Sequence, residues 1–416
     1  MAATDIVDSP AQPVFSVPRP HTAGIQARAA ALLPLLRAQQ RDNAARGHVS
    51  EVLHQQFVKA GFYRMLQPQR FGGLELDYLS FARAMQTIAR GDPAVAAVLA
   101  QTVAQPALLA SYWPESTQKD LFLGDGNIIA AHACSPAGSC VAVDGGYMVE
   151  GLWTDCAGVT HSTHFIGSSI LRASDGQQYQ ARFVLDHGCY TVLHQNQRRG
   201  PSCSSVKVTR QFVLARRVVL FSHCTRIRYD EMPGLAVHPN PMYLATGTVL
   251  VEVAAVSPMI GAALAALDEY RAIVLSQRAN IPEGKGPHDR RLLHGTFGRA
   301  VVLVDCAETL LERALHTYQE QCEDWQRSGT PTGTEASMRV WAMLDSAGRM
   351  AAEATEALYM DGGTAPVGGD RRMQRYLDDV HLQLEHHGHL QADLLIRIGR
   401  AQLNPSERTR AQQPDE

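Results

Sequence analysis

The apolar positions change period twice along the chain. From about Ile25 to Leu123 they recur with helical spacing, and Ile25, Ala29, Leu32, Leu33 and Leu36 form one stripe at i, i+4, i+7, i+8 and i+11. Gln67-Pro68-Gln69-Arg70-Phe71-Gly72-Gly73 breaks that run with a loop, Leu79 to Ile88 resumes it, and Asp92-Pro93 opens a further helix with proline in its first turn. From about Asn127 to Arg228 the period falls to two. Val141–Val143 and Tyr147–Val149 flank Asp144-Gly145-Gly146, a hairpin signal, and alternating stretches follow at 164–166, 181–185, 190–193, 205–208 and 218–221. Helical spacing then returns, with candidate helices Tyr243–Gln277, His288–Arg327, Thr334–Met360 and Asp370–Leu403, long enough and closely enough connected for an antiparallel bundle. Asn404-Pro405 stops the last of them.

The pattern therefore predicts a mainly α chain with a central β domain. The expected parts are a flexible N-terminus over 1–20, an N-terminal helical domain over 21–126, a small β-barrel or sandwich over 127–237, a C-terminal four-helix bundle over 238–403, and a disordered tail over 404–416.

Charge narrows the partners. With 38 Lys+Arg against 41 Asp+Glu the net charge is −3, which provides no electrostatic grip on nucleic acid or an anionic membrane. Residues Met1 to Pro20 carry neither the basic nor the apolar region of a signal peptide. No stretch approaches roughly 18 uninterrupted apolar residues; the run Val249 to Leu267 is broken by Glu252, Ser257 and Pro258 and reads as a buried helix. The expected setting is cytoplasmic, without membrane or nucleic-acid partners. Cys134, Cys140, Cys156, Cys189, Cys203 and Cys224 fall in one stretch without a CxxC pair, and read as reduced thiols. His381, His386, His387 and His389 cluster late in the chain, but lack the i, i+4 pair and acidic ligand of a helical zinc site, so no metal is expected. His161 and His164 flank a strand and are expected at the surface; Arg271 and Arg299 read as charges on solvated helix faces.

Five segments then resemble one family in the right order. They are Gly61 to Gly73, Gly91-Asp92-Pro93, Val143 to Trp153, Arg199 to Val208, and Gln374-Arg375 with Asp379-Val380-His381 and His386. Together they resemble the acyl-CoA dehydrogenase superfamily over roughly residues 25 to 400. The dehydrogenases of that superfamily use a late glutamate as base; here Glu385 is the only carboxylate after Asp379 in the corresponding stretch. The ending is more similar to the two-component flavin-dependent monooxygenases that hydroxylate phenols.

That resemblance implies a function and a site. Reduced flavin (FMNH2 or FADH2) from a separate NAD(P)H:flavin reductase would react with O2 to a C4a-hydroperoxide and hydroxylate an aromatic or polycyclic small molecule. The cofactor would have to be held in a dry pocket. By the resemblance, Trp153, Cys156, Ala157 and Gly158 wall the flavin, and the turn Ser202, Cys203 and Ser204 adds hydroxyls and N–H groups. His386 falls where the family keeps a histidine beside the substrate, and histidine suits removal of a phenolic proton near neutral pH; by its pattern alone it reads as a solvated helix residue. Ala97, Gln105 and His132 map to the substrate pocket, His132 reading equally as a histidine at a strand edge. The family's superfamily relatives assemble as homotetramers, and a homotetramer or homodimer is expected.

Several pocket positions depart from the family. Cys156-Ala157 stand where the hydroxylases have two serines, Ala97 stands where they often have tryptophan, Gln105 where they have histidine before proline, and Asp378 replaces an arginine. The scaffold motifs persist while the pocket differs, which points to a changed substrate. Oxygenation at nitrogen, a flavin dehydrogenase, and a member repurposed for a non-redox role stay open as alternatives.

Overall fold

The computed structural model describes residues 22–123, 128–133, 135–172, 178–194, 204–222, 233–244, 247–280, 287–330, 332–362, 371–387 and 391–403. The expectations for residues 1–20 and 404–416 lie outside them.

Among the described residues, five α-helices make the N-terminal part: α1 (Thr22–Arg46), α2 (Glu51–Ala60), α3 (Tyr78–Ala89), α4 (Pro93–Tyr112) and α5 (Glu115–Phe122). Their starts are set by side chains. The Ser50 hydroxyl accepts from the Leu53 N–H ahead of α2, and Asp77 and Asp92 do the same ahead of α3 and α4, so each satisfies an N–H that the helix cannot. The loop read at 67–73 is a knot of 3-10 turns, in which Gly73 lies so close to Gln67 that a Cβ would sit 1.9 Å from its carbonyl oxygen.

Eight strands follow among the described residues: β1 (Ala130–His132), β2 (Ser139–Val143), β3 (Gly146–Cys156), β4 (His164–Arg172), β5 (Gln178–Asp186), β6 (Thr191–His194), β7 (Ser204–Leu214) and β8 (Val218–Ser222). They form two four-stranded sheets, β1-β4-β5-β8 and β2-β3-β7-β6. All neighbours are antiparallel except β1 with β4. The hairpin at 144–146 is present, with Val143 paired to Gly146 and Gly145 at φ +75°. The sheets close on Trp153, Phe165, Phe183, Val206 and Val213, so of the two architectures expected the sandwich is the one formed.

A short helix α6 (Pro233–Val237) leads to α7 (Gly247–Asn280), α8 (Pro287–Ser328), α9 (Thr334–Gly362), α10 (Arg372–His387) and α11 (Gln391–Leu403). The last candidate, 370–403, is thus described as two helices either side of 388–390. The helix α7 packs against α3, α4, α9 and α10 and is the axle of the molecule. At Gly261 it touches α3 so closely that a Cβ would lie 2.4 Å from the Gln86 carbonyl oxygen. Pro93–Tyr112 and Val249–Leu275 have the length and hydropathy to cross a membrane, but 89% of the most apolar 18-residue stretch in each is buried within the fold. They are core helices, and α4 is buried at every residue but Ala94.

Candidate functional site

The helix α4 runs between the β sandwich and the C-terminal helices, and a hollow lies on each side of it. On the β side, a cavity of about 450 Å³, including the solvent at its mouth, is lined by Val98, Leu99 and Thr102 of α4 and by Cys156, Gly158 and Ser204 of the sandwich. On the other side, a cleft of about 330 Å³ lies between α4, α7 and α10, lined by Ala94, Ala97, Met259, Ala262, Asp379 and Gln383.

The β-side wall is built by the end of β3. The pairing of β3 with β7 slips between Trp153 and Cys156, and Asp155 adopts φ 55°. Past this bulge the Ala157 N–H donates to the His132 carbonyl, fastening the strand end to β1. Gly158, at φ +73°, then turns the chain against α4; a Cβ there would lie 2.4 Å from Thr102 Oγ1. Cys156 is fully buried, and its thiol points back to the carbonyl oxygens of Trp153 and Thr154. Trp153 itself belongs to the framework: its indole donates to the Ser168 carbonyl and packs edge-on against Phe165 and Phe183, with none of its surface exposed. Its side chain presents nothing to the cavity; its service is to fix where Cys156 and Gly158 emerge.

A histidine cluster borders this cavity through His48 and His161. His54 and His161 stack with ring centroids 4.2 Å apart, and His48 stands edge-on to His161. The His161 Nε2–H donates to the Val49 carbonyl at 2.8 Å, while Nδ1 lies 3.4 Å from Glu51. His54 contacts the Tyr63 hydroxyl at 3.0 Å. Burial, and then the neighbouring His161, hold the His54 imidazole below its ordinary value. The expectation that His161 and His164 lie at the surface is corrected: their side chains are only 15% and 16% exposed, because each seals a junction, His161 between α2 and the sandwich and His164 beside Asp186.

The bundle-side cleft carries an acid pair. Asp92 accepts from the Val95 N–H at 3.2 Å and from the Asn43 amide at 3.1 Å. Asp379, on α10, reaches the same helix end, and both carboxyls lie against the Ala94 N–H. Two like charges on one amide cannot both be ionised cheaply. Burial raises Asp92 to about 6 against the help of Asn43 and the α4 amides; burial first and Asp92 second hold Asp379 well above the carboxylate range. Arg375, hydrogen-bonded to Gln40, is the cation that partly offsets the pair.

The expected site residues are distributed accordingly. Cys156, Gly158 and Ser204 converge on the β-side cavity, with Ala157 beside them; Ala97 lines the opposite cleft. His132 is buried between the two sheet edges, and burial followed by the Arg182 guanidinium lowers its imidazole to about 4, leaving it neutral at physiological pH. Gln105 lies deep in α4, its amide donating to the Gln101 carbonyl one turn back. The backbone of His386 belongs to α10, but its side chain lies outside the described residues, as do Ser202 and Cys203. Arg271 and Arg299 are exposed, Arg299 paired with Glu353. Among the described residues no group of three or more His, Cys, Asp or Glu could hold a metal ion, and Cys140, Cys189, Cys306 and Cys322 are free thiols.

Two features escaped the sequence. The partnership of Asp92 and Asp379 joins residues 287 apart in the chain, and only the α4–α10 contact reveals it. Gln101 stands in an apolar helix with no motif around it, yet its Oε1 is buried without a hydrogen-bond partner.

Two family models match the chain: the acyl-CoA dehydrogenase N-terminal domain over residues 28–125 and the acyl-CoA dehydrogenase C-terminal domain over residues 253–391. The chain belongs to the acyl-CoA dehydrogenase superfamily. Within this superfamily it is 25% identical over 245 residues to the flavin-dependent monooxygenase oxygenase subunit HsaA of Rhodococcus jostii, an alignment spanning 58% of this chain and 63% of that relative. It is 24% identical over 357 residues to a pigment production hydroxylase of a Rhodococcus species, across 83% of this chain and 88% of the relative. The crystal structure of 3-HSA hydroxylase from Rhodococcus sp. RHA1 superposes with a TM-score of 0.81 at 21% identity, covering 91% of this chain and 97% of that one. The superfamily fold of helices, sandwich and helices is therefore shared across nearly the whole molecule, and α4 with its two flanking hollows lies at its centre.

Proposed function

We propose that the protein is the oxygenase component of a two-component flavin-dependent monooxygenase that hydroxylates an aromatic or polycyclic small molecule. The observation that carries this reading is the convergence of Cys156, Gly158 and Ser204, the positions of the flavin motifs, on one cavity backed by Val98, Leu99 and Thr102. The names of the relatives, a flavin-dependent monooxygenase oxygenase subunit and a hydroxylase, support the same chemistry. An oxygenase subunit also implies a separate reductase, and the resemblance to its superfamily supports a homotetramer or homodimer.

The residues fit a flavin ring edge. The turn at Gly158 leaves no room for a side chain between it and α4, and the Cys156 thiol and Ser204 border the space. When bound, reduced FMN or FAD would supply the oxygen activation. The chain's part is to exclude water, which the buried face of α4 and the packed end of β3 do, and to orient the substrate ring. A thiol is a weaker hydrogen-bond donor than a serine hydroxyl, and Cys156 is turned toward backbone carbonyls, so it contributes shape more than a hydrogen bond. His132, neutral and buried, can accept or donate one hydrogen bond without changing the charge of the pocket. His386, four and seven residues beyond Leu382 and Asp379 on α10, is assigned the removal of the substrate's phenolic proton.

Rapid mixing of the protein and reduced flavin with oxygen tests the reading. A transient oxygenated-flavin absorbance, outlasting that of flavin alone, is expected, and His386→Ala should keep the transient but lose product coupling. Immediate free peroxide with no transient would sink the assignment, and bleaching of bound oxidised flavin by substrate without oxygen would replace it with a dehydrogenase. Full coupling in His386→Ala would remove only the base assignment.

A further inference from the structure

Part of the β-side cavity wall is the short link between α1 and α2. Gly47, at φ +76°, follows α1, and His48 and Val49 line the cavity before Ser50 caps α2. This link and α2 meet the sandwich at His161, the last residue of the 3-10 turn Val159–His161 that follows Gly158. Three contacts make the join. The His161 Nε2–H donates to the Val49 carbonyl at 2.8 Å. Its ring lies flat on that of His54 in α2, with centroids 4.2 Å apart and 7° between the planes, and it packs at 73° to the His48 ring. Val159, Thr160 and His161 line the same cavity as Cys156 and Gly158, so the turn that carries the stack is itself cavity wall.

Two imidazoles stacked face to face can carry one positive charge between them but not two, because like charges that close and that shielded from water repel strongly. The surroundings offer little to offset a second charge. Among the described residues, His161 opposes a charge on His54 and Glu51 favours it. Glu51 lies 3.4 Å from His161 Nδ1, but its side chain is 66% exposed and water screens it. Tyr63, from the 3-10 turn Phe62–Arg64, contacts His54 Nδ1 at 3.0 Å; burial keeps its phenol protonated, so it brings no negative charge. His48 adds a third titratable ring to the group and no anion. We propose that the His54–His161 stack is a pH-sensitive latch, which holds α2 and the α1–α2 link against the β-side cavity while at most one ring is charged and releases them when both are. The direction follows from His54. Its value in the folded protein lies below the ordinary 6.5, so the join is fully stable above about pH 6.5 and weakens as pH falls below it. The cavity is shut at neutral pH and loosens in mild acid. The latch acts on the wall and does not depend on which ligand the cavity takes.

Hydrogen exchange of the full chain at pH 7.5 and pH 5.5, corrected for the intrinsic rate at each pH, tests the latch. In wild type, protection over residues 47–58 should fall about 10-fold at the lower pH. The helix α9, packed on α7, α8 and α10, should keep its protection. His54→Phe retains a ring on His161 but cannot take a charge, so its residues 47–58 should stay protected at both pH values. Cys156 lines the cavity and reports its opening. Its reaction with 4,4′-dithiodipyridine, located by peptide mapping, should be about 10-fold faster in wild type than in His54→Phe at pH 5.5, and equal in the two at pH 7.5. Protection that does not change with pH in wild type overturns the proposal, as does the same loss in folded His54→Phe, or equal Cys156 labelling of the two proteins at pH 5.5. Should His54→Phe fail to fold, Glu51→Gln decides. Removing that exposed carboxylate makes a second charge on the pair harder to place, so the loss of protection over 47–58 should move to lower pH, and an unmoved loss overturns the latch.

Discussion

At the residue scale, the buried ionisable groups of the site pull stability in opposite directions with pH. Asp92 titrates at about 6 in the folded protein against 3.8 in the free side chain. The folded state thus holds its proton more tightly, and the stability this gives is fully present below about pH 3.8 and lost as pH rises through 6, a change of about 3 kcal/mol. His132 titrates at about 4 against 6.5. Its stability is present above about pH 6.5 and lost as pH falls toward 4, again by about 3 kcal/mol. Between pH 4 and 6 the two largely cancel. Asp92→Asn keeps an N-cap on α4 but removes one side of the balance. The variant should gain stability at pH 7.5 and lose it more steeply than wild type from pH 6.5 to 4, measured by urea unfolding across that range. Parallel curves for the two proteins would show that Asp92 and Asp379 do not contest the Ala94 N–H.

At the scale of elements, the join between β3 and α4 is where the sandwich meets the helices. Gly158 makes that join twice over, by its positive φ and by its contact with Thr102. Gly158→Ala should cost about 2 kcal/mol for the left-handed backbone, with a further loss from the clash. Thr102→Ala removes the clashing Oγ1 but leaves the backbone cost, so thermal unfolding should show a smaller penalty for Gly158→Ala in the Thr102→Ala background. An identical penalty in both backgrounds would mean that the turn does not bear on α4. Such joins also explain how far the sequence could be read. The hairpin at Gly145, the helix start at Asp92-Pro93 and the long helices were legible because each depends on neighbours within a few residues. The placement of Trp153 in the sandwich core, the sealing roles of His161 and His164, and the meeting of Asp92 with Asp379 depend on contacts between elements distant in the chain. Gln101 was invisible for a further reason: a glutamine in an apolar helix signals nothing until every possible partner has been placed.

At the scale of the whole molecule, the C-terminal helices carry apolar side chains that the described residues leave exposed. The helix α11 spans 13 residues, a length marginal for an isolated helix in water, and it packs against α9 through buried Leu394. The adjacent Leu395 and Ile396 are each 53% exposed, and Met360 on α9 is 74% exposed. Apolar residues grouped on a short terminal helix mark an interface more often than a solvated face. A second copy of this chain is the occupant that the proposed homotetramer requires. Light scattering should therefore give a mass that is a multiple of 45.4 kDa. The double variant Leu395→Glu/Ile396→Glu should lower it, because like charges placed symmetrically across an interface between copies repel. The α4 site lies on other elements, so reduced-flavin binding should survive in the smaller species. A wild type of one-chain mass, or a variant that keeps the wild-type mass, would assign α11 no part in assembly.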